Sequence, residues 1–163
     1  MVLLGTAVIF PIVFSLNGAY IRREDALKYY AEIKASLRSI FMAMSTWHGG
    51  VPLKKKKEYA LVTAQCLFAI RAFLTGSHEG KEEREIEVYA QFENLSQTLE
   101  KQCRAANFPG GEVGACYTFL NDTMTNFENL KHIYNYRTPR SLQAFSDVFI
   151  TVLPLLYLSL IHI

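Results

Sequence analysis

No charged residue occurs from Met1 to Ile21, and this stretch closes on Phe14-Ser15-Leu16-Asn17-Gly18-Ala19-Tyr20, with Arg22-Arg23-Glu24-Asp25 just beyond Ile21. A helix rises 1.5 Å per residue, so the stretch spans roughly 30 Å, the thickness of a bilayer's hydrocarbon core. It is long enough to cross a membrane and to stop where the arginines begin. A secretory signal peptide is the competing reading, but there is no basic n-region, the apolar part is long, and Pro11 interrupts it near the middle. The sequence therefore predicts a transmembrane helix over 1–21. Met1 can equally be an internal methionine of a longer chain.

The 163 residues are 50% hydrophobic, 13% aromatic and 20% charged, between an ordinary soluble domain and a polytopic membrane protein. A net charge of +2 without a basic, aromatic-interleaved stripe argues against nucleic acid as a partner. Cys66, Cys103 and Cys116 are widely and irregularly spaced and form no CxxC pair, so they read as reduced core thiols rather than a zinc or redox site.

Beyond the arginines, apolar residues recur at Ala26, Tyr30, Ile33, Leu37, Ile40, Met44 and Trp47, in the alternating steps of four and three that one helical stripe requires. No strong breaker lies between Arg22 and Trp47, so this amphipathic helix can be continuous with the first span. His48-Gly49-Gly50-Val51-Pro52 ends it, and Lys54-Lys55-Lys56-Lys57 follows as a solvated face or an anionic-headgroup contact. With Arg22 and Arg23, these lysines place the middle of the chain on the positive, cytosol-equivalent side.

Glu58 to Leu74 predicts a second helix, apolar all round and so buried on more than one side. Ser77 to Glu87 reads as a charged connector that starts a third helix, with Ile86, Tyr89 or Ala90, Phe92 or Glu93, and Leu99 at loose helical spacing, ending before Asn107-Phe108-Pro109-Gly110-Gly111. A fourth helix, about Glu112 to Tyr134, shows Val113, Tyr117, Leu120, Met124, Phe127, Leu130 and Tyr134 as its stripe. Thr138 as N-cap and Pro139 at the first helical position open a further segment that re-enters the membrane.

The expected organisation is all-α: a transmembrane helix at 1–21, a cytosolic helical domain at 22–136, and the start of a second transmembrane segment at 137–157. Leu158-Ser159-Leu160-Ile161-His162-Ile163 looks like the translated transposon end of a sequencing adapter, so 158–163 reads as a foreign tail on a truncated fragment; a short apolar tail of coincidental sequence is the other reading.

The enzyme signatures GxSxG, GxGxxG, P-loop and HExxH do not occur, and His48, His78 and His132 stand alone in sequence, as surface or hydrogen-bonded histidines do. Glu82, Glu83, Glu85 and Glu87 suit a solvated helix start. No catalytic residue, metal ligand or cofactor is assigned. In the first span, Thr6, Phe10 and Phe14 fall at i, i+4 and i+8 on one helix face. A ring of such faces from several subunits would form an apolar constriction; the same aromatics can also simply meet lipid or a neighbouring helix.

Phe14, Asn17, Tyr20 and Arg22, at the end of a membrane helix that runs on through Ala26, Leu27 and Ser36, resemble the junction motif of the bestrophin family of anion channels. Ser15 stands where that family usually has arginine, and Arg23 where it often has tryptophan. Ala69-Ile70-Arg71-Ala72-Phe73-Leu74 and the segment from Arg137-Thr138-Pro139 to Pro154 fall in the order that the family shows. The resemblance implies a multi-pass membrane protein and a homopentamer around one pore, with Thr6, Phe10 and Phe14 lining the neck and Asn17, Tyr20, Arg22 and Arg23 at the membrane junction. Chloride or bicarbonate would be the permeant ion, membrane lipid the surrounding partner. Two alternatives stand beside it: a membrane-anchored helical scaffold that conducts nothing, and a soluble bundle whose N-terminal run is a core helix.

Overall fold

The lack of strong helix breakers from Arg22 to Trp47 has the consequence that the spacing predicts: one helix, α1, runs over Val2–Thr46. It gives way at Trp47–Gly49 to a single 3-10 turn, where His48, Gly49 and Gly50 all take positive φ (53°, 83° and 78°). Glycine reaches that region without a Cβ penalty, so the Gly49-Gly50 pair is what lets the chain reverse. Three further helices follow: α2 over Leu53–Thr75, α3 over Lys81–Ala105 and α4 over Gly110–Asn135. The computed structural model describes residues 2–77 and 79–136, then residues 144, 147, 148, 151, 152, 155 and 159; in α1 the described side chains begin at Val13, Ser15 excepted. All the regular structure among the described residues is helical.

The chain divides into two compact units, one of Met1–Leu27 with Ile133–Ile163, the other of Lys28–His132. In the first, residues 144, 147, 148, 151, 152, 155 and 159 are helical. Val13, Phe14, Leu16, Tyr20 and Ile21 are exposed, as are Val148, Val152 and Leu155. Among the described residues no helix is long and apolar enough to cross a membrane. Most of the stretch expected to span, 1–12, lies outside the described side chains, as do Thr138, Pro139 and most of 137–163.

The second unit is a four-helix bundle. From α1 it buries Ile33, Leu37, Ile40, Ala43 and Met44, the centre of the expected stripe, while Tyr30 and Trp47 are half-buried. α2 begins five residues earlier than Glu58: Pro52 occupies the N-cap position and the four lysines are helical. Lysine is a good helix former, and its cost beside the positive end of the helix dipole is only a few tenths of a kcal/mol when exposed.

Three patterns differ from expectation. α2 buries a single face (Tyr59, Val62, Cys66, Ala69, Ile70, Phe73), leaving Leu61 and Phe68 in the open, so its all-round apolarity does not mean all-round burial. α3 turns Val88, Phe92, Leu95, Leu99 and Cys103 inward, whereas Ile86 is 68% exposed. On α4 the inward row is Cys116, Leu120, Thr123, Phe127 and Leu130, rotated so that Tyr117 and Met124 sit at the margin. Small residues at Cys116 and Thr123 let neighbouring helices approach, and the bulkier Tyr117 and Met124 are displaced to the rim. Thr123 keeps its hydroxyl satisfied by donating to the Phe119 carbonyl at 2.8 Å.

Candidate functional site

Of the residues proposed for a pore face, Phe14 is 54% exposed; Thr6 and Phe10 lie on the helical backbone of α1 but their side chains are outside the described residues. At the junction, Asn17, Tyr20 and Arg23 are exposed and Arg22 is half-buried. The exposed residues Val13, Phe14, Leu16, Tyr20 and Ile21 cover an arc of roughly 160° at 100° per residue. Leu16 and Tyr20 are 65% and 60% exposed. The exposed Asn17 shares this arc, which lies within a charge-free run that ends at two arginines.

The bundle carries a second constellation, on α3 and α4. The Lys131 ammonium donates to Glu85 Oε1 at 3.1 Å and to the Tyr89 hydroxyl at 2.7 Å, and lies 2.6 Å from Glu128 Oε2. The Tyr89 hydroxyl in turn donates to Glu128 Oε1. The ammonium also stands 5.3 Å from the centre of the Tyr89 ring and 5.8 Å from that of Phe127. Burial would discharge Lys131, but its hydrogen bonds to Glu128, Tyr89 and Glu85 outweigh it and hold the amine's pKa above the usual lysine value. The same contacts, against burial, hold the Glu128 carboxyl below the usual carboxylate range. An amine kept this firmly charged is a poor nucleophile, so the chemistry of the cluster is ion pairing that fastens α3 to α4.

A third cluster closes the turn after α1. His48 Nε2 meets Glu112 Oε2 in the first turn of α4, and its ring packs on Phe108 at 4.8 Å, with Trp47 at 5.8 Å on the same phenyl ring. Sequence spacing could not bring His48 and Glu112 together, since 64 residues separate them. All three cysteines are free and buried. Burial pushes the thiols of Cys66 and Cys116 up to about 12, which leaves them protonated packing groups. Cys103, facing it from α3, raises Cys116 further. Among the described residues no three His, Cys, Asp or Glu side chains stand close enough to hold a metal ion.

Between α1 and α2 lies an open groove of about 250 Å³, floored by Leu37, Phe41, Ala64 and Leu67 and edged by Lys34 and Arg38. Neither the groove nor the Lys131 cluster was legible as a site in sequence. The one available signal was the i, i+4 spacing of Lys34 and Arg38 beside the α1 stripe.

No protein-family model, curated protein or solved structure matches the chain.

Proposed function

We propose that this chain is part of a subunit of a bestrophin-like anion channel, a multi-pass membrane protein that assembles as a homo-oligomer. In this reading the N-terminal part of α1 sits in lipid, with Thr6, Phe10 and Phe14 on the pore side. Asn17, Tyr20, Arg22 and Arg23 mark the membrane boundary, and the bundle of Lys28–His132 lies beyond it. Chloride or bicarbonate would pass the neck against aromatic ring edges, whose positive partial charge tolerates a partly dehydrated anion.

The observation that supports the reading best is the exposed arc of Val13, Phe14, Leu16, Tyr20 and Ile21, directly before Arg22 and Arg23, on a helix that continues without a break into an amphipathic stripe. The test is anion flux from liposomes holding the protein. Replacing Phe10 and Phe14 by alanine should change the permeation rate or the selectivity; currents identical to the unmodified protein would remove both residues from the neck.

The groove between α1 and α2 favours a second reading, a membrane-anchored scaffold that binds protein partners and conducts nothing. Reconstituted protein that inserts fully yet gives no flux would favour it.

A further inference from the structure

The α1–α2 groove has an apolar floor and a basic edge. Lys34 and Arg38 are exposed, and Arg71, one turn beyond Leu67 on α2, is exposed in the same row. No acidic residue lines the groove, and among the described residues no carboxylate pairs with any of these three cations. Lys34 lies 5.9 Å from the Tyr30 ring centre on its own helix. Elsewhere on α2, Phe68 is 65% exposed, and Leu61, two turns before it on the same side, is 58% exposed.

The complement of this surface is on the same chain. One face of α3 sets the exposed Ile86 and Ala90 among the exposed carboxylates of Glu82, Glu83 and Glu93. At 100° per residue these five residues occupy about 100° of the helix surface. Ile86 cannot turn inward, because Val88, Phe92 and Leu95 already commit the other side of α3 to its own core. Both surfaces repeat in steps of four residues, about 6 Å: Lys34 to Arg38 on α1, and Glu82 to Ile86 to Ala90 on α3. A helix with an apolar ridge between acidic edges matches an apolar trough with a basic edge.

We propose that the α1–α2 groove of one copy receives the outer face of α3 from a second copy, Ile86 entering the trough and Glu82 and Glu83 meeting Lys34 and Arg38. The inference rests on the reading of the chain as one subunit of a homo-oligomer. Groove and ridge are different surfaces, so the contact is heterologous: each copy gives one and receives one, and successive contacts close a ring when the rotation permits. Each contact is small by the measure of stable interfaces, and ring closure multiplies it.

Charge reversal tests the pairing on the full chain in detergent, with oligomeric mass read by sedimentation and helix content by circular dichroism. The Lys34→Glu, Arg38→Glu variant should weaken association about 10- to 100-fold, and so should Glu82→Lys, Glu83→Lys. The two sets combined should return it to within about threefold of the unmodified chain. Ile86→Asp, at a site where it cannot disturb the core, should weaken assembly with full helix content. The proposal is overturned by an unmodified chain that sediments as a monomer, by reversals that leave the mass unchanged, or by a combination that fails to restore it. It is also overturned if the Lys34→Glu, Arg38→Glu variant keeps its mass but loses binding to phosphatidylserine vesicles, which would make the groove a lipid site. Flux on the same samples separates the two readings: rescued assembly without flux refutes the channel alone, and flux with unrescued assembly refutes the pairing alone.

Discussion

Phe127→Ala is the change that should damage the bundle most. The Phe127 ring is fully buried on α4 and meets three others edge-on: Phe73 of α2 at 5.6 Å, and Phe92 and Tyr89 of α3 at 5.7 and 6.0 Å, with interplanar angles of 67°, 71° and 85°. It is thus a single side chain through which three helices touch. Truncating a buried phenylalanine removes the transfer energy of the ring and leaves a cavity, for about 3–5 kcal/mol. Edge-to-face pairs are worth about 0.5–1.5 kcal/mol each beyond area, so three of them put the cost in the upper half of that range. A domain of this size holds only about 5–15 kcal/mol in all. In urea unfolding of the full chain in mild detergent, followed by circular dichroism, a slope of about 2 kcal/mol per molar makes this a midpoint drop of about 2 M. Phe68→Ala, on the open side of α2, should cost no more than about 0.5 kcal/mol. Equal shifts for the two variants, or a Phe127→Ala cost below about 1 kcal/mol, would refute the claim that α2, α3 and α4 pack through this ring.

The pH dependence follows from the same region. Glu128's carboxyl is held low, so its stabilisation is present above the ordinary carboxylate pKa and is lost as pH falls through the folded value; urea midpoints should decline on the acid side, and less so in Glu128→Gln. Lys131, Tyr59, Tyr89 and the three thiols are all raised, so their contribution is full below the ordinary values and is lost as pH rises; midpoints should fall from about pH 9 upward, and a midpoint flat to pH 11 would contradict it. At Gly76 an added Cβ would run into Arg84 Nε and lie 2.8 Å from the Ala72 carbonyl oxygen. Gly76→Ala should therefore dislodge the guanidinium from the Ser77 and Glu79 carbonyls and cost about 1–2 kcal/mol, and Arg84→Ala should add little on top; additive losses would show that the clamp was not what was broken. His48 sits at φ 53°, where a β-carbon is strained, so His48→Gly should be about 1 kcal/mol milder than His48→Ala in the same melts, and equal costs would mean that the ring contacts with Phe108 and Glu112 decide alone.

How legible the bundle was depends on the helix. α1 was readable because a strict four-and-three stripe has only one inward direction, and Ile33, Leu37, Ile40 and Met44 take it. On α4 the expected stripe holds at Leu120, Phe127 and Leu130, but hydropathy favours the bulky Tyr117 and Met124 over the buried Cys116 and Thr123, about 100° round the helix. Close approach of the neighbouring helices decides for the smaller, which is a property of packing and not of any single helix. α3 misled through Ile86, an apolar residue on the acidic face, while Val88 and Leu95 marked the true core row. The Lys131 cluster joins Glu85 and Tyr89 to Glu128 and Lys131 across 39 to 46 residues, and no local pattern signals such a meeting. At the candidate pore face the sequence says more than the described structure, since Thr6 and Phe10 fall among the undescribed side chains.

Among the described residues, two groups of exposed apolar side chains differ in how they are spread. Leu61, Phe68 and Ile86 are spread over two helices as single side chains, so the contact proposed for Ile86 draws on its flanking carboxylates as well as on apolar area. Val13, Phe14, Leu16, Tyr20 and Ile21 fall within nine consecutive residues, each at least half exposed. Full burial of such a side chain is worth about 1.5–3 kcal/mol, so covering the exposed half of five of them gains about 4–7 kcal/mol. That is comparable to the whole stability of a small domain, and water supplies none of it. On the proposed reading a covering of lipid would supply it, with the two arginines at the end of the run marking its limit. On the proposed reading, replacing Leu16 by lysine, within this arc, should release the chain from membranes in alkaline carbonate while leaving the helix content of the bundle intact. Retention of that variant in the membrane pellet would refute the proposed contact of the arc with lipid.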